Sequence, residues 1–327
     1  MPRRRDVLIG AATAAFAPWQ AWARGIATVP PPAREAMVPV KGGRIYVRVN
    51  GDLKAAKPPI VFVHGGPGGT HDAYVDMLSL ADERAVILYD QLDSGRSDHP
   101  GNPTNWTVPR FVDELEAIRA ALGIARWHVC GHSWGGTIAL EYGARCPAAL
   151  RGLVLASPLV STRSWIADAD ALRRTLPQDV QGAISGCVAR SEQSPACDAA
   201  TNRFYAAFNG REPATPARLA YARAVGGKGF NLALYRYMWG PSEFAVSGTL
   251  RDYDGEPLLA KLDGARTLFL CGQYDEARPG TMLGFVARVP GAEVGVVPGA
   301  AHGFFTDRPE ESAAILRTWL ARQDERI

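Results

Sequence analysis

The sequence predicts an α/β protein: a doubly wound, mostly parallel sheet with helices on both faces, interrupted by one inserted helical cap domain. Three observations predict it. Short apolar runs rich in β-branched residues alternate with helical patterns. One long stretch, from Ser161 to Arg251, holds no convincing strand run. A serine flanked by glycines, in Gly131-His132-Ser133-Trp134-Gly135, stands between a strand run and a helical pattern.

Taken in order, the chain opens on Arg3, Arg4 and Arg5, followed by the apolar run Val7–Ala17 and the small-residue pattern Ala21-Trp22-Ala23. A charged start, a short apolar middle and an A-x-A end describe a secretory signal over residues 1–23, too short to span a bilayer. Arg4-Arg5 followed by Asp6-Val7-Leu8 resembles the twin-arginine signal that bacteria use for proteins that fold before export, so a periplasmic or secreted location is expected. Residues 24–37, through Pro30-Pro31-Pro32, read as an extended linker.

Strand runs follow at Arg44–Val49, Ile60–Val63, Ala85–Tyr89, Trp127–Cys130, Gly152–Ala156, Thr267–Cys271 and Val294–Val297. Helical patterns fall at Val108–Leu122, Ile138–Arg145 and Pro309–Arg322. Asp113, Glu114 and Glu116 lie early in the first of these, where the helix dipole favours acid. Alternating strands and helices call for a parallel sheet covered on both faces. The sheet domain is expected over 38–158 and 251–327. The cap, over 159–250, is broken at Pro177, Pro195, Pro213 and Pro216.

Bulk properties exclude several functions. The 327 residues carry a formal net charge of +3, and three of the positive charges are the N-terminal arginines. That charge is too small and too scattered to argue for binding nucleic acid or an acidic membrane. Of the five cysteines, Cys130, Cys146 and Cys271 read as small buried hydrophobes. Cys187 and Cys197 lie ten apart in a polar, helical-looking stretch and could pair in an oxidising compartment.

The chemistry starts at Ser133. A G-x-S-x-G pattern after a strand and before a helix marks a nucleophile elbow, a turn so tight that its neighbours must be small. A hydroxyl needs a base, and the base needs an acid to orient it, in the chain order Ser, Asp or Glu, His. Of the six histidines only His302 follows Ser133. Asp275, just after the strand run Thr267–Cys271, is the expected acid; Asp263 and Asp307 are its competitors. The oxyanion needs backbone donors. Those expected are the amides of Trp134 and of Gly66, the latter in His64-Gly65-Gly66-Pro67-Gly68-Gly69. That loop lacks the lysine of a phosphate-binding loop, and His64 is expected to orient it. The scheme calls for no cofactor and no metal.

Four stretches now resemble the α/β-hydrolase superfamily and, within it, the proline iminopeptidase family: His64–Gly69, Tyr89-Asp90-Gln91, Gly131–Thr137, and Trp239-Gly240-Pro241-Ser242-Glu243-Phe244 in the cap. The resemblance spans roughly residues 38 to 322 and implies a serine aminopeptidase acting on small peptides or amino-acid amides. It implies that Glu243, and Glu276 directly after the acid, hold the substrate's free amine, since a buried ammonium requires carboxylate partners. Trp134, Tyr235, Tyr237, Trp239 and Phe244 are candidate pocket walls or core. Gly303-Phe304-Phe305-Thr306-Asp307 and the export signal both depart from the family's usual pattern. An esterase or lactonase with the same triad is the alternative, and a non-catalytic binding module a remote one; the oligomeric state is left open.

Overall fold

Successive residues of a strand point to opposite faces of its sheet, so runs apolar at every position must be covered on both sides. The computed structural model describes residues 26–145, 147–190 and 194–326. The targeting segment and Cys146 lie outside them. The described strands are β1 (Arg34–Val40), β2 (Gly43–Asn50), β3 (Ile60–Val63), β4 (Val86–Tyr89), β5 (Trp127–His132), β6 (Leu150–Ala156), β7 (Thr267–Gly272) and β8 (Glu293–Val297). They form one sheet in the order β1-β2-β4-β3-β5-β6-β7-β8. β1, β2 and β4 pair antiparallel, and every pairing from β4 through β8 is parallel.

Alternation sorts the core. Val61 and Val63 of β3 join Ile87, Val129, Leu155 and Phe269 in one buried cluster. Ile60 and Phe62 join Leu88, Cys130, Val154 and Leu270 in another. The first cluster is roofed by α1 (Val108–Leu122) and α2 (Trp134–Ala144), through Phe111, Leu115, Ile118 and Ile138. The second is closed by the 3-10 segment His71–Asp82 and by the last helix. α1 shows the punctuation expected of a helix, with Pro109 in its first turn and Gly123 ending it at φ 67°.

Between β6 and β7 the described α-helices are α3 (Thr162–Arg173), α4 (Gln178–Arg190), α5 (Pro195–Phe208), α6 (Pro216–Ala224) and α7 (Leu232–Met238). α5 and α6 begin on Pro195 and Pro216, whose missing N–H is no loss at a first turn. A small core of Ala169, Val180, Ile184, Ala200 and Phe204 holds α3, α4 and α5 together, and a Cys187–Cys197 disulfide ties α4 to α5. After β7 come α8 (Pro279–Val286), α9 (Phe304–Asp307) and α10 (Pro309–Asp324). No described helix is long and apolar enough to cross a membrane.

Two expectations need correction. The linker assigned to 24–37 ends early, because β1 starts at Arg34 and hairpins onto β2 through Lys41 and Gly42. Its polar Arg34 and Glu35 sit on a sheet edge, where one face is wet. The preceding chain is anchored too: Arg48 donates to the Pro30 carbonyl at 2.7 Å and Asn50 to that of Pro31 at 2.9 Å. The acids of α1 do not serve the helix dipole, since none lies in its first turn, and Glu114 has another role. It is buried, pairs with Arg110 at 2.7 Å and accepts the Leu92 N–H at 3.0 Å. Burial pushes its carboxyl up to about 7.

Candidate active site

In open α/β sheets the crevice forms where strand order reverses, outside the carboxyl ends of the strands. Here the chain leaves β3 for β4 on one side and returns to β5 on the other. The loop His64–Gly69 and Ser133 therefore meet at the ends of β3 and β5. Ser133 sits at φ 58° and ψ −122° between β5 and α2, a strained backbone for a residue with a side chain. The turn is tight enough to forbid a side chain two residues to either side of the serine. A Cβ on Gly131 would lie 2.1 Å from the Gly135 carbonyl oxygen, and one on Gly135 would lie 2.1 Å from that of Val63. Gly65 passes directly beside the serine, its Cβ position 3.0 Å from Ser133 Cβ.

The histidine and its acid come from two later loops. His302 Nδ1 lies 2.9 Å from Asp275 Oδ1. An ionised carboxylate only accepts, so Nδ1 carries the proton and Nε2 is left to face the crevice. Asp275 is itself fixed by the N–H groups of Gly272 and Ala277, both at 2.9 Å, and by the Ser157 hydroxyl. Asp275 and His302 are 1% and 5% exposed. The two competitors for the acid role do other work. Asp263 caps a short turn by accepting from Ala265 N–H, and Asp307 accepts the N–H groups of Ala301, Arg211 and Glu212. No hydrogen bond joins Ser133 Oγ to His302 among the described residues. Such contacts often tighten only once substrate is bound.

The two expected oxyanion donors are uncommitted: neither the Gly66 N–H nor the Trp134 N–H has an acceptor in the described structure. The Trp134 amide opens α2, where first-turn N–H groups have no intrahelical partner. Its indole goes elsewhere, buried against Phe111 and donating to Gln91 Oε1 at 2.9 Å. His64 sits under the glycine loop. Its Nε2 accepts the Gln91 N–H at 2.9 Å, and its Nδ1 lies 2.9 Å from the Gly65 carbonyl, to which it donates. Burial lowers its pKa, so it stays neutral.

The cap brings the two glutamates to the same place. Glu243 Oε1 accepts from the Tyr235 hydroxyl at 2.6 Å and Oε2 from Trp165 Nε1 at 2.7 Å. The Trp165 ring also meets His302 edge to face, with centroids 5.5 Å apart. Glu276, 3% exposed, accepts from Asn209 Nδ2 at 2.7 Å through Oε1, which also lies 3.6 Å from His302 Nε2. Its Oε2 is buried with no partner. Burial raises the pKa of both carboxyls. The end of α5 locks the two loops into register. The Phe208 carbonyl accepts from Glu276 N–H and His302 N–H, both at 3.1 Å, and the Asn209 carbonyl from Gly303 N–H at 2.6 Å.

Of the candidate pocket walls, Tyr235 hydrogen-bonds Glu243, and Trp239 meets the Trp165 ring edge to face. Trp239 is core, Tyr237 is exposed against Trp106, and Phe244 packs on Phe204. Trp165, Asn209 and Ser157 join the site unannounced by any motif. His132 does too, although it is the variable residue of the elbow. Its Nδ1 accepts from the Tyr74 hydroxyl at 3.0 Å and its Nε2–H reaches the His302 carbonyl at 2.9 Å. Burial keeps it neutral, with its pKa down to about 3.

A reactive-serine turn at the switch point of this sheet, with a buried Asp–His pair behind it and helices above, defines a serine hydrolase of the α/β-hydrolase class. The family model described as alpha/beta hydrolase fold matches residues 58–309. Similarity continues to a finer level. The chain is 34% identical to a proline iminopeptidase of Heyndrickxia coagulans, over 88% of this chain and 98% of the relative. It is 35% identical to one of Levilactobacillus brevis, over 89% and 98%. The crystal structure of the proline iminopeptidase of Mycobacterium smegmatis superposes with a TM-score of 0.80 at 34% identity, over 89% of this chain and 99% of that one. The chain belongs to the proline iminopeptidase family.

Proposed function

We propose that the chain is an exported serine aminopeptidase that releases an N-terminal amino acid, proline favoured, from peptides or small amino-acid amides. His302, held by Asp275, takes the Ser133 proton as Oγ attacks the scissile carbonyl. The Gly66 and Trp134 amides receive the oxyanion, and His302 then protonates the leaving amine. Water activated by the same imidazole releases the acyl group. The observation that carries the reading is the pair of carboxylates beside His302, because Glu276 Oε2 has no partner in a buried site. A buried, unpaired carboxylate oxygen calls for a cation. A substrate with a free α-amine supplies one and positions its first carbonyl at Ser133; a blocked N-terminus does not.

The test compares aryl amides of proline, alanine and N-blocked proline with a simple aryl ester. The free-amine amides are expected to turn over best, and preference for the blocked amide or the ester would falsify the aminopeptidase reading. Glu243→Gln is expected to lower kcat/KM on the free-amine amide by on the order of 10- to 100-fold, the range for a hydrogen bond to a charged group, and to spare the ester. Equal losses on both substrates would make Glu243 a packing residue.

The export reading rests on Arg4-Arg5, the apolar run after them and Ala21-Trp22-Ala23. The Cys187–Cys197 disulfide supports it, since such bonds persist in oxidising compartments. Expressed in a bacterium with working twin-arginine machinery, the mature protein is expected to begin at Arg24. N-terminal sequencing that finds the arginine pair intact removes the proposal.

A further inference from the structure

Ordinary acyl transfer does not require the contact between the base and Glu276. Nε2, the nitrogen that must take the serine proton, lies 3.6 Å from Glu276 Oε1 and makes no hydrogen bond to Ser133 Oγ among the described residues. Glu243 has both oxygens occupied, by Tyr235 and Trp165, whereas Glu276 has one oxygen beside the imidazole and the other empty. Among the described residues, the group paired with Glu276 that can carry positive charge is the His302 imidazole.

We propose that the substrate's ammonium switches on the general base: by occupying Glu276 it frees His302 to act on Ser133. The proposal rests on the reading of Glu276 as an amine contact and extends it from binding to catalysis.

The groups facing His302 set its proton affinity. Asp275 meets Nδ1 from the loop after β7, Glu276 meets Nε2 from the same loop, and Glu243 approaches from the segment after α7. On the elbow side is the neutral ring of His132, with centroids 4.6 Å apart, and from α3 comes the uncharged Trp165. Burial by itself lowers the pKa of His302, but Glu276 and then Asp275 outweigh it and carry it above the ordinary range. In the free enzyme the 3.6 Å contact holds a proton between Nε2 and Glu276, and an Nε2 that carries it cannot accept another. An ammonium on Glu276 cancels that carboxylate's charge. The Nε2 proton then leaves to solvent, and the freed lone pair takes the hydroxyl proton as the Ser133 Oγ–carbonyl bond forms. That same proton passes to the leaving nitrogen as the C–N bond breaks.

The experiment uses a neutral acetyl aryl ester, which brings no ammonium. With the wild-type enzyme, kcat/KM for the ester is expected to rise with a midpoint above the usual histidine range of about 6.5. Glu276→Gln keeps an acceptor for Asn209 and removes the charge. It is expected to move that midpoint down by about one unit or more, raising ester turnover at pH 7, while turnover of proline aryl amide falls. In a second arm, millimolar pyrrolidinium or ethylammonium added to the wild type is expected to accelerate ester hydrolysis at pH 7. If Glu276→Gln depresses the amide but leaves the ester profile in place, and added amines only inhibit, base switching is overturned and the amine contact stands. If neither substrate responds to the substitution, the amine contact itself fails. Should the variant not fold, amine activation or inhibition of the wild type decides alone.

Discussion

Ser133→Ala is expected to lower kcat by on the order of 10⁴- to 10⁶-fold, the loss seen when a hydrolase nucleophile is removed. The deleted oxygen is the atom that bonds the acyl group, and the free thiols among the described residues do not replace it: Cys130 and Cys271 are buried, and burial raises their pKa. The fold should not notice. Ser133 holds the elbow through its backbone, with its N–H on Ala156 O at 2.9 Å and its carbonyl accepting from Gly136 and Leu159 at 2.8 and 3.1 Å. Alanine keeps that backbone and the Cβ beside Gly65. Calorimetry with a non-hydrolysed prolyl ligand should accordingly find wild-type affinity and an unchanged Tm. Activity above about one hundredth of wild type would show that some other group attacks the carbonyl.

The elbow could be read from the sequence because its constraints are local. Gly131 and Gly135 are forced by atoms a few residues away and by the neighbouring strand, and the strand run and helical pattern on either side are strong. Chain order then selected His302 and Asp275, since a single histidine follows the serine. Local information stops there. β1 escaped notice because an edge strand beginning Arg34-Glu35 has only one apolar face to show. Glu114 reads in the sequence as one of three helix-dipole acids because the Leu92 amide, its partner from outside the helix, is brought to it by packing, while Arg110 stands one turn back. Trp165 and Asn209 reach the site from cap helices whose docking no short-range pattern encodes, and contacts of that range depend on the assembled fold. Trp134 shows that one residue can serve twice: its amide faces the crevice while its indole props Gln91 beneath the glycine loop.

Asp275→Asn is expected to cost about 10⁴-fold in kcat, close to the loss when an orienting aspartate is amidated in other serine hydrolases, with the fold retained. Every group around this carboxylate is a donor: Gly272 N–H and Ala277 N–H, the Ser157 hydroxyl and His302 Nδ1–H. Oδ2 accepts from Gly272 N–H and the Ser157 hydroxyl, and Oδ1 from Ala277 N–H and His302 Nδ1–H. An amide has one oxygen to offer; if it stays at the Oδ2 position, the NH₂ at the Oδ1 position faces Ala277 N–H and Nδ1, and Nδ1 can then only accept. The imidazole proton moves to Nε2, the nitrogen that has to take the proton of Ser133, and the base is lost in place. One of the charges that raise the imidazole's proton affinity, after that of Glu276, goes with it. Residual activity should therefore recover at high pH, where hydroxide can deprotonate the serine without the histidine. Ser157→Ala makes the control, because it removes one donor and leaves the carboxylate and the tautomer intact. A loss with Ser157→Ala as deep as that with Asp275→Asn would mean that Asp275 acts by holding the loop rather than by orienting His302.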